Sequence, residues 1–375
     1  MSLEKLNRIK NHEKFEEIDA LLVNKPENIT YVLGFNIESE TTILIPGKNN
    51  EKNFSETFVF LNALEYDRAS TNIDNNEGLK EEIKAIKIPQ KEPKFIEKTI
   101  NKLKIKTLGF EDEHINVKMY NEWCKELEGI ELKGSSQVLK DARILKTQKE
   151  IENMKKAAKL GIIGFNAIFE ECKAGMTEKE LAARAEYEMR KAGSEGTSFD
   201  TIVASGENSA FPHFTTSDKK IKKGDLIIVD IGARYNGYCS DMTRTFIFKG
   251  ENTKDFDKKA KLVNLVNEGQ KLGVEELKAG KKGSEMDGKV REYFKNTHEE
   301  WGDRFIHSLG HGVGLEIHES PFLSQKSDIV LKSGMCVTIE PGLYIPGLGG
   351  ARTEDLLVVK EDGSTLLSPA EIFYY

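Results

Sequence analysis

The chain has 375 residues, of which 62 are acidic and 55 are basic, and its formal net charge is −7. This length predicts more than one domain and leaves ample material for a buried site. The acidic balance argues against a nucleic acid or a membrane surface as partner, because both require a surplus of lysine and arginine. No run reaches the roughly 18 apolar residues of a membrane span, and the start MSLEKLNRIK lacks an apolar signal segment, so we expect a cytoplasmic protein.

The four cysteines are widely separated and form no Cys-x-x-Cys pair: Cys124, Cys172, Cys239 and Cys336. This spacing indicates neither a zinc knuckle nor a disulfide framework. We expect free thiols, which fit a reducing compartment.

The amino-terminal region alternates strand-like runs with segments rich in lysine and glutamate. The strand-like runs lie at 41–45, 57–61 and 105–110. Because the intervening segments have a helical composition, this region predicts a small α/β domain. It shows no catalytic spacing, and we expect His12 and His114 at the surface.

The pattern changes around 134–147, which we predict to be a turn-rich link. A long helix is predicted after it, at 148–171, because the apolar residues there are spaced for one face. We therefore place the domain boundary in this link and predict two domains, 1–137 and 138–375.

The second domain is predicted to combine four helices with a sheet, an α+β arrangement. Its second helix opens at a capping box, in which Thr177 can bond the third backbone N–H and Glu180 reaches back. Two more helices are predicted, at about 254–278 and 284–300. The sheet segments lie at 226–235, 238–248, 334–345 and 353–360.

The segment 229–246, VDIGARYNGYCSDMTRTF, contains Asp230 and Asp241, although aspartate is depleted in strands. The Asn-Gly pair at 236–237 predicts a two-residue type I′ turn, since both central residues of that turn need positive φ. The register of such a hairpin puts Asp241 opposite Gly232. The two carboxylates are then diagonal neighbours, roughly 7 to 8 Å apart at the backbone.

Two anions in this arrangement repel each other unless one binds a proton or a cation lies between them. A metal site is one interpretation of the pair. A pair of surface carboxylates on a solvated sheet face is the other, and the hairpin by itself leaves both open.

The segment HSLGHGVGLEIHE, at 307–319, holds three of the seven histidines. A single histidine is more often a structural residue than a ligand. However, the glycines on both sides of His311 let the backbone turn closely around a site. We therefore predict that this cluster is functional.

Two more carboxylates accompany strand-like runs. Glu340, in the sequence TIEPG, lies at the end of an apolar strand, and Glu354 lies two residues after Arg352. A carboxylate at the end of an apolar strand demands a cationic partner. For Glu354, a salt bridge with Arg352 is the alternative to a metal.

The complete candidate set is Asp230, Asp241, His311, Glu340 and Glu354. Such an oxygen-rich set suits two divalent ions that share bridging carboxylates. Two ions roughly 3.5 to 4 Å apart can hold one water between them and lower its pKa towards neutrality.

The order of the segments VDIGA, SDMTRTF, HSLGHGVGLEIHE, TIEPG and ARTEDLL resembles the proline-specific metallopeptidases of the pita-bread fold, Xaa-Pro dipeptidase (prolidase) and aminopeptidase P. Methionine aminopeptidase and creatinase are more distant relatives. The likeness runs through most of 138–375, and DALLVNKPENITYVLGF resembles the amino-terminal domain of prolidases and creatinase. The resemblance implies a pita-bread α+β catalytic domain preceded by a smaller, creatinase-like α/β domain.

The resemblance also implies a role for each residue of the candidate set. Asp241 and Glu354 would bridge two divalent ions. Asp230 would bind one ion, and His311 with Glu340 would bind the other. Glu340 would in addition act as general base and take a proton from the bridging water. Family members usually work with Mn²⁺ or Co²⁺, and ligand type alone leaves Zn²⁺ open.

Four further residues take substrate-side roles by the same resemblance. His318 would stabilise the tetrahedral intermediate, and His213 would bind substrate or manage the leaving nitrogen. His307 matches another substrate-side histidine, and Arg352 would orient the metal ligands beside the substrate. The chain has FPHF where PHG or PHY is common in the family. This difference keeps His213 in place but leaves the substrate specificity less well defined.

The implied activity is hydrolysis of the Xaa-Pro bond in small peptides with proline in the second position. LEIHE followed by Pro321 favours the dipeptidase, and aminopeptidase P, which acts on longer peptides, is the alternative. Creatinase is free of metal and lacks the metal-binding carboxylates. A non-catalytic binding protein of the pita-bread fold is the alternative from another class, but such proteins have lost metal ligands. Family members are commonly dimers, so a homodimer is expected.

Overall fold

The computed structural model describes residues 2–47, 56–88 and 95–375. It divides into two compact units, Met1–Arg143 and Ile144–Tyr375. The described helices are α1 (Ser2–Lys10), α2 (Pro26–Leu33), α3 (Tyr66–Asp74), α4 (Phe95–Leu103), α5 (Val117–Glu126), α6 (Ser136–Ile144), α7 (Gln148–Glu171), α8 (Glu178–Lys191), α9 (Phe256–Glu276) and α10 (Gly283–Thr297).

The strands follow the same chain order. In the first unit they are β1 (Ala20–Val23), β2 (Thr41–Pro46), β3 (Thr57–Leu61), β4 (Ile83–Lys87), β5 (Thr107–Phe110) and β6 (Glu131–Gly134). In the second unit they are β7 (Gly196–Thr197), β8 (Ile202–Ser205), β9 (Leu226–Ile231), β10 (Ala233–Tyr235), β11 (Tyr238–Cys239), β12 (Met242–Ile247), β13 (Gly310–Gly312), β14 (Glu319–Leu323), β15 (Cys336–Ile339), β16 (Gly342–Ile345), β17 (Gly349–Arg352), β18 (Asp355–Lys360) and β19 (Gly363–Leu366).

The first unit is built on one six-stranded sheet, in the order β4-β3-β2-β1-β5-β6. Strand β2 runs antiparallel to both of its neighbours, while β1, β5 and β6 run parallel to one another. The predicted α/β class is confirmed, and the three predicted strands are found as β2, β3 and β5. Strands β4 and β6 escaped prediction because their charged residues interrupt the apolar pattern.

The prediction of a turn-rich link at 134–147 is wrong, because helix α6 fills most of it. Ser136 begins this helix, and its backbone N–H donates to Asp112 Oδ1 at 3.0 Å. The following turns bury their apolar side chains, and this packing outweighs the turn signal of the Gly-Ser-Ser run. The predicted division after residue 137 falls inside α6, whereas the compact units divide after Arg143.

The second unit combines helices with antiparallel sheets, so the α+β prediction is confirmed. Its sheets have the orders β12-β9-β8, β11-β10-β7, β14-β13-β15-β18-β19 and β16-β17. Helices α7 and α8 share one buried apolar cluster with β9 and β12, and α9 and α10 share another with β15 and β18. The strand ends between these two clusters are therefore held from both sides.

The predicted helices of this unit are confirmed, with α7 spanning Gln148–Glu171 as expected. Helix α8 opens with the predicted capping box: Thr177 Oγ1 accepts from the backbone N–H of Glu180 at 3.1 Å, and the Glu180 carboxylate accepts from the backbone N–H of Thr177 at 2.7 Å. Of the described helices, none has the length and apolarity that crossing a bilayer requires.

The predicted hairpin is confirmed together with its register. Asn236 has φ 49° and Gly237 has φ 78°, as a type I′ turn requires. The flanking tyrosines pair, and the same register continues in the pairing of β9 with β12. Regular strand geometry is interrupted at Gly232, where an added Cβ would overlap the main-chain oxygen of Ser240. The close approach of the two chain segments therefore requires glycine at this position.

Candidate active site

The five residues of the candidate metal set lie at or beside strand ends. Asp230 is in β9, Asp241 directly precedes β12, and His311 is in β13. Glu340 directly follows β15, and Glu354 lies between β17 and β18. Rigid sheets thus fix the backbone of each of these residues.

The structure brings all nine predicted site residues to one cavity of about 870 Å³. They are Asp230, Asp241, His311, Glu340, Glu354, His213, His307, His318 and Arg352. Residues from separate parts of the sequence therefore share one space, as the metal interpretation requires.

The centre of the group is formed by Asp241, His311 and Glu354, each of which has a potential ligand atom within 4.8 Å of the others. His311 Nε2 lies 3.6 Å from Asp241 Oδ2 and 3.3 Å from Glu340 Oε1. His311 Nδ1 lies 3.1 Å from the main-chain oxygen of Gly312, which can only accept. Nδ1 therefore carries the proton, and the lone pair of Nε2 points towards the carboxylates.

Three buried carboxylate oxygens of this group have no hydrogen-bond partner among the described residues. They are Asp230 Oδ1, Asp241 Oδ1 and Glu354 Oε1. A buried anionic oxygen without a partner is costly unless a cation or a proton satisfies it. The donor set, rich in carboxylate oxygens with one imidazole, fits divalent ions such as Mn²⁺, Co²⁺ or Zn²⁺.

Burial and mutual repulsion act on the same carboxylates. Burial, together with the neighbouring carboxylates, raises the pKa of Asp241 and of Glu354 well above the ordinary range. Burial raises the pKa of Glu340 to about 8. Burial also lowers the pKa of His311 to about 4, so the imidazole is neutral and able to act as a ligand. The carboxylates can therefore all be ionised together when positive charge lies among them.

Arg352 is bonded to Asp230, with Nη2 donating to Oδ2 at 2.7 Å. Arg352 therefore forms its salt bridge with Asp230 and not with Glu354, the alternative that the sequence left open. Glu354 Oε2 instead accepts from Thr243 Oγ1 at 2.7 Å. Arg352 Nη1 also donates to the hydroxyl of Tyr344 at 2.7 Å.

His307 has both ring nitrogens engaged within the protein. Nδ1 donates to the main-chain oxygen of Ser308 at 2.8 Å, and Nε2 lies 3.0 Å from the hydroxyl of Tyr344. Because that hydroxyl accepts from Arg352, its proton is free to go to His307. A ring nitrogen of His307 can therefore contact substrate only by giving up one of these bonds.

The other two histidines face open space in the cavity. The ring centroid of His318 lies 4.4 Å from that of His311. The side chain of His318 is exposed. His213 is exposed as well, in the segment between a short 3₁₀ helix, Gly206–Ala210, and β9. Both are placed where a bound ligand can meet their ring nitrogens.

Three hydroxyl groups of the site were not predicted: those of Thr243, Thr338 and Tyr344. Thr338 Oγ1 accepts from the backbone N–H of His311 at 3.0 Å and lies 3.4 Å from Glu340 Oε1. Thr243 lies two residues after Asp241 in the sequence, and Thr338 lies two residues before Glu340. Because alternate residues of a strand share one face, this spacing could have predicted both hydroxyls. Tyr344 carried no comparable signal.

A cavity of this kind can hold divalent cations beside a bound substrate, which is the chemistry of a metal-dependent hydrolase. Comparison with known families agrees, since residues 152–361 match the model of metallopeptidase family M24. Residues 5–145 match the creatinase/prolidase N-terminal domain. The chain belongs to metallopeptidase family M24.

Relatives extend over the whole chain. The Xaa-Pro dipeptidase of Pyrococcus furiosus is 39% identical, with 98% of each chain covered. Among solved structures, an Xaa-Pro dipeptidase from Bacillus anthracis is 34% identical, covers 100% of both chains and has a TM-score of 0.90. An X-Pro aminopeptidase from Thermotoga maritima is also 34% identical, covering 97% of this chain and 100% of its own, with a TM-score of 0.84. The expected pita-bread fold with a creatinase-like amino-terminal domain is thereby confirmed.

Proposed function

We propose that this metallopeptidase hydrolyses the Xaa-Pro bond and acts as an Xaa-Pro dipeptidase. The observation that carries the proposal is the set of three buried carboxylate oxygens without a partner among the described residues, all on side chains that line one cavity. The names of relatives that cover nearly the whole chain support the choice of Xaa-Pro peptides as substrates.

Two divalent ions, with Mn²⁺ as the first candidate and Co²⁺ or Zn²⁺ as alternatives, would be held by the five residues of the candidate set. Asp241 and Glu354 would contact both ions. Asp230 would serve one ion, and His311 with Glu340 the other. When bound, the ions would lower the pKa of water and place positive charge near the scissile carbonyl.

The residues of the chain perform the remaining steps. Glu340 accepts the proton of the attacking water on its carboxylate and returns it towards the leaving proline nitrogen. Thr338 and His311, which lie next to Glu340, restrict its orientation. His318 donates to the developing oxyanion, and His213 contacts the substrate near the leaving nitrogen. Arg352 fixes the position of Asp230 through its hydrogen bond to Oδ2.

Peptide length decides between the dipeptidase and the alternative, an Xaa-Pro aminopeptidase, which the similarity to the Thermotoga enzyme keeps open. The test is to incubate the purified protein with Mn²⁺ or Co²⁺ and to measure release of free amino acids from Gly-Pro, Met-Pro and longer Xaa-Pro-Xaa peptides. We expect turnover of the dipeptides. Preference for the longer peptides would establish the aminopeptidase instead, and no turnover of either would point to a binding role.

We also infer that the protein is a homodimer in the cytoplasm, on the basis of the family resemblance. Light scattering coupled to size-exclusion chromatography would measure the mass. A mass of one chain at micromolar concentration would contradict the dimer.

A further inference from the structure

We infer that Glu178 is a positioning residue. Its carboxylate holds both ends of the segment 205–217, which carries His213. The inference rests on the proposed function, in which His213 contacts the substrate. Glu178 is fully buried at the first position of α8, and none of the candidate roles above involves it.

One oxygen of Glu178 holds the beginning of the segment. Oε1 accepts from the backbone N–H of Ser205 at 2.8 Å and from its hydroxyl at 2.7 Å. The side-chain amide of Asn208 donates to the same oxygen at 3.0 Å. These contacts fix the chain where β8 ends and the 3₁₀ helix begins.

The other oxygen holds the end of the segment. Oε2 accepts from the backbone N–H of Ser217 at 3.1 Å and from its hydroxyl at 2.6 Å. Asn208 reaches this oxygen too, at 3.2 Å. One carboxylate therefore joins two chain positions on either side of His213.

The segment itself borders the candidate active site. Ser209 Oγ accepts from the backbone N–H of Gly350 in β17 at 2.9 Å, and Arg352 Nη1 lies 3.4 Å from the main-chain oxygen of Pro212. His213 is exposed and makes no hydrogen bond within the described part of the chain. Its position therefore depends on the segment rather than on contacts of its own ring.

The chemistry of Glu178 supports a role in ordering this segment. It pairs with no cation among the described residues, so its buried charge is met by hydrogen-bond donors instead. Five donor groups converge on its two oxygens: two backbone N–H groups, two hydroxyls and one amide. Replacing this carboxylate by an amide should lose hydrogen bonds, because the NH₂ group of the amide would face a backbone N–H, which is also a donor.

A simpler role would be stabilisation of the α8 N-terminus, where any carboxylate is favourable. Glu180 provides the matched control, because it lies in the same first turn and bonds Thr177 without contacting the His213 segment. Glu178→Gln and Glu180→Gln remove the same charge from the same helix end. Only the first should disturb residues 205–217.

The first experiment is amide hydrogen exchange followed by mass spectrometry, on protein without metal or substrate. In Glu178→Gln, we expect faster exchange in peptides that cover 205–217 than in the wild type and in Glu180→Gln. Equal exchange in all three proteins would overturn the inference. If Glu178→Gln does not fold, Ser217→Ala, which removes a single donor, takes its place with the same expected direction.

The second experiment compares kinetics on an Xaa-Pro peptide. We expect Glu178→Gln to lower kcat/KM by about tenfold or more, because a group misplaced by about 1 Å can cost 100-fold. His213→Ala should change the same parameter, KM or kcat, and the double variant should lose no more than the worse single one. Additive losses, or an equal loss in Glu180→Gln, would contradict the inference.

The two experiments separate failure of the inference from failure of the proposed function. If the wild type cleaves no Xaa-Pro peptide, the proposed function fails. The exchange measurement needs no activity, so it still decides whether Glu178 holds the segment.

Discussion

Two carboxylates of the site have one oxygen held by the protein and the other left without a partner. Arg352 holds Asp230 Oδ2, and Thr243 holds Glu354 Oε2, each at 2.7 Å. The second oxygen of each has no hydrogen-bond partner in the described ranges. A carboxylate fixed through one oxygen presents the other in a defined direction. Both side chains are therefore oriented before an ion binds.

Asp241→Asn should separate the binding of metal from the stability of the fold. We expect activity to fall by roughly 100-fold or more, since changes to residues that merely support ligands already cost about 10 to 100-fold. Metal content, measured by mass spectrometry, should fall with it. The melting temperature of the metal-free protein should rise, because the raised pKa of Asp241 means that folding opposes its charge at neutral pH.

Asp303→Asn is the control for this change, because the side chain of Asp303 is 82% exposed and pairs with Lys295 at the surface. It should leave metal content and activity unaltered. Unchanged metal content in Asp241→Asn would contradict the proposed bridging role. A lower melting temperature of that variant without metal would contradict the explanation that burial and the neighbouring carboxylates oppose the charge of Asp241.

The candidate metal ligands could be predicted because each stands in a distinctive sequence context, such as an aspartate within a strand or a histidine between glycines. Tyr344 could not be predicted in the same way. A tyrosine in an apolar strand is typical of a core residue, and its bonds to Arg352, 8 residues away, and to His307, 37 residues away, depend on how the folded segments pack. Local sequence patterns carry no information on such contacts.

At the scale of elements, the segment that follows β19 is tied to the strand ends of the site. Arg244 is almost fully buried and donates to the main-chain oxygens of Glu354 at 2.6 Å and of Ala370 at 2.9 Å. It also pairs with Asp355 at 2.7 Å. One guanidinium thus joins this segment to the chain position that carries a candidate ligand.

Phe373 adds an apolar attachment for the same segment. Its ring centroid lies 4.7 Å from that of Phe169 and 5.9 Å from that of Phe246. Because the side chain is only partly buried, Phe373→Ala should lower the free energy of unfolding by about 2 kcal/mol, less than the roughly 3 to 5 kcal/mol of a phenylalanine buried in a core. Urea titration measures the change.

The neighbouring Tyr374 is 52% exposed and serves as the control for Phe373. Tyr374→Ala should change the free energy of unfolding by no more than about 0.5 kcal/mol. Equal effects of the two substitutions would show that the aromatic contacts of Phe373 do not hold the segment.

Elements with a local signal were predictable, and those formed by packing were not. The hairpin followed from the Asn-Gly pair at 236–237, and α8 followed from its capping box. Helix α6 was missed because its first residues look like a turn, while burial of its later residues decides the outcome. Strands β13 (Gly310–Gly312) and β17 (Gly349–Arg352) were missed because they are rich in glycine, which is depleted in strands, and they form by pairing with β14 and β16.

At the scale of the whole molecule, the four thiols should differ sharply in reactivity. Burial raises the pKa of Cys336 to about 12 and that of Cys172 to about 11. Cys239 is buried too, whereas Cys124 is exposed. Because the thiolate is the reactive form, we expect Ellman's reagent to label one thiol of the native protein rapidly and four after denaturation.

Cys124→Ser provides the control, since it should remove the rapid phase and leave three thiols that react after denaturation. Rapid labelling of two or more thiols in the native wild type would contradict the burial of the other cysteines. The experiment also reports on both compact units, because Cys124 lies in the first and the other three lie in the second.

Gly232 shows how a position without any functional group can be as intolerant of mutation as a ligand. A side chain there would collide with the main chain of Ser240, and rotating a neighbouring side chain cannot relieve a collision with backbone. In a survey of random variants, loss of activity at this position would look like a chemical defect. Its origin would be the spacing of two chain segments, with every reactive group still present in the sequence.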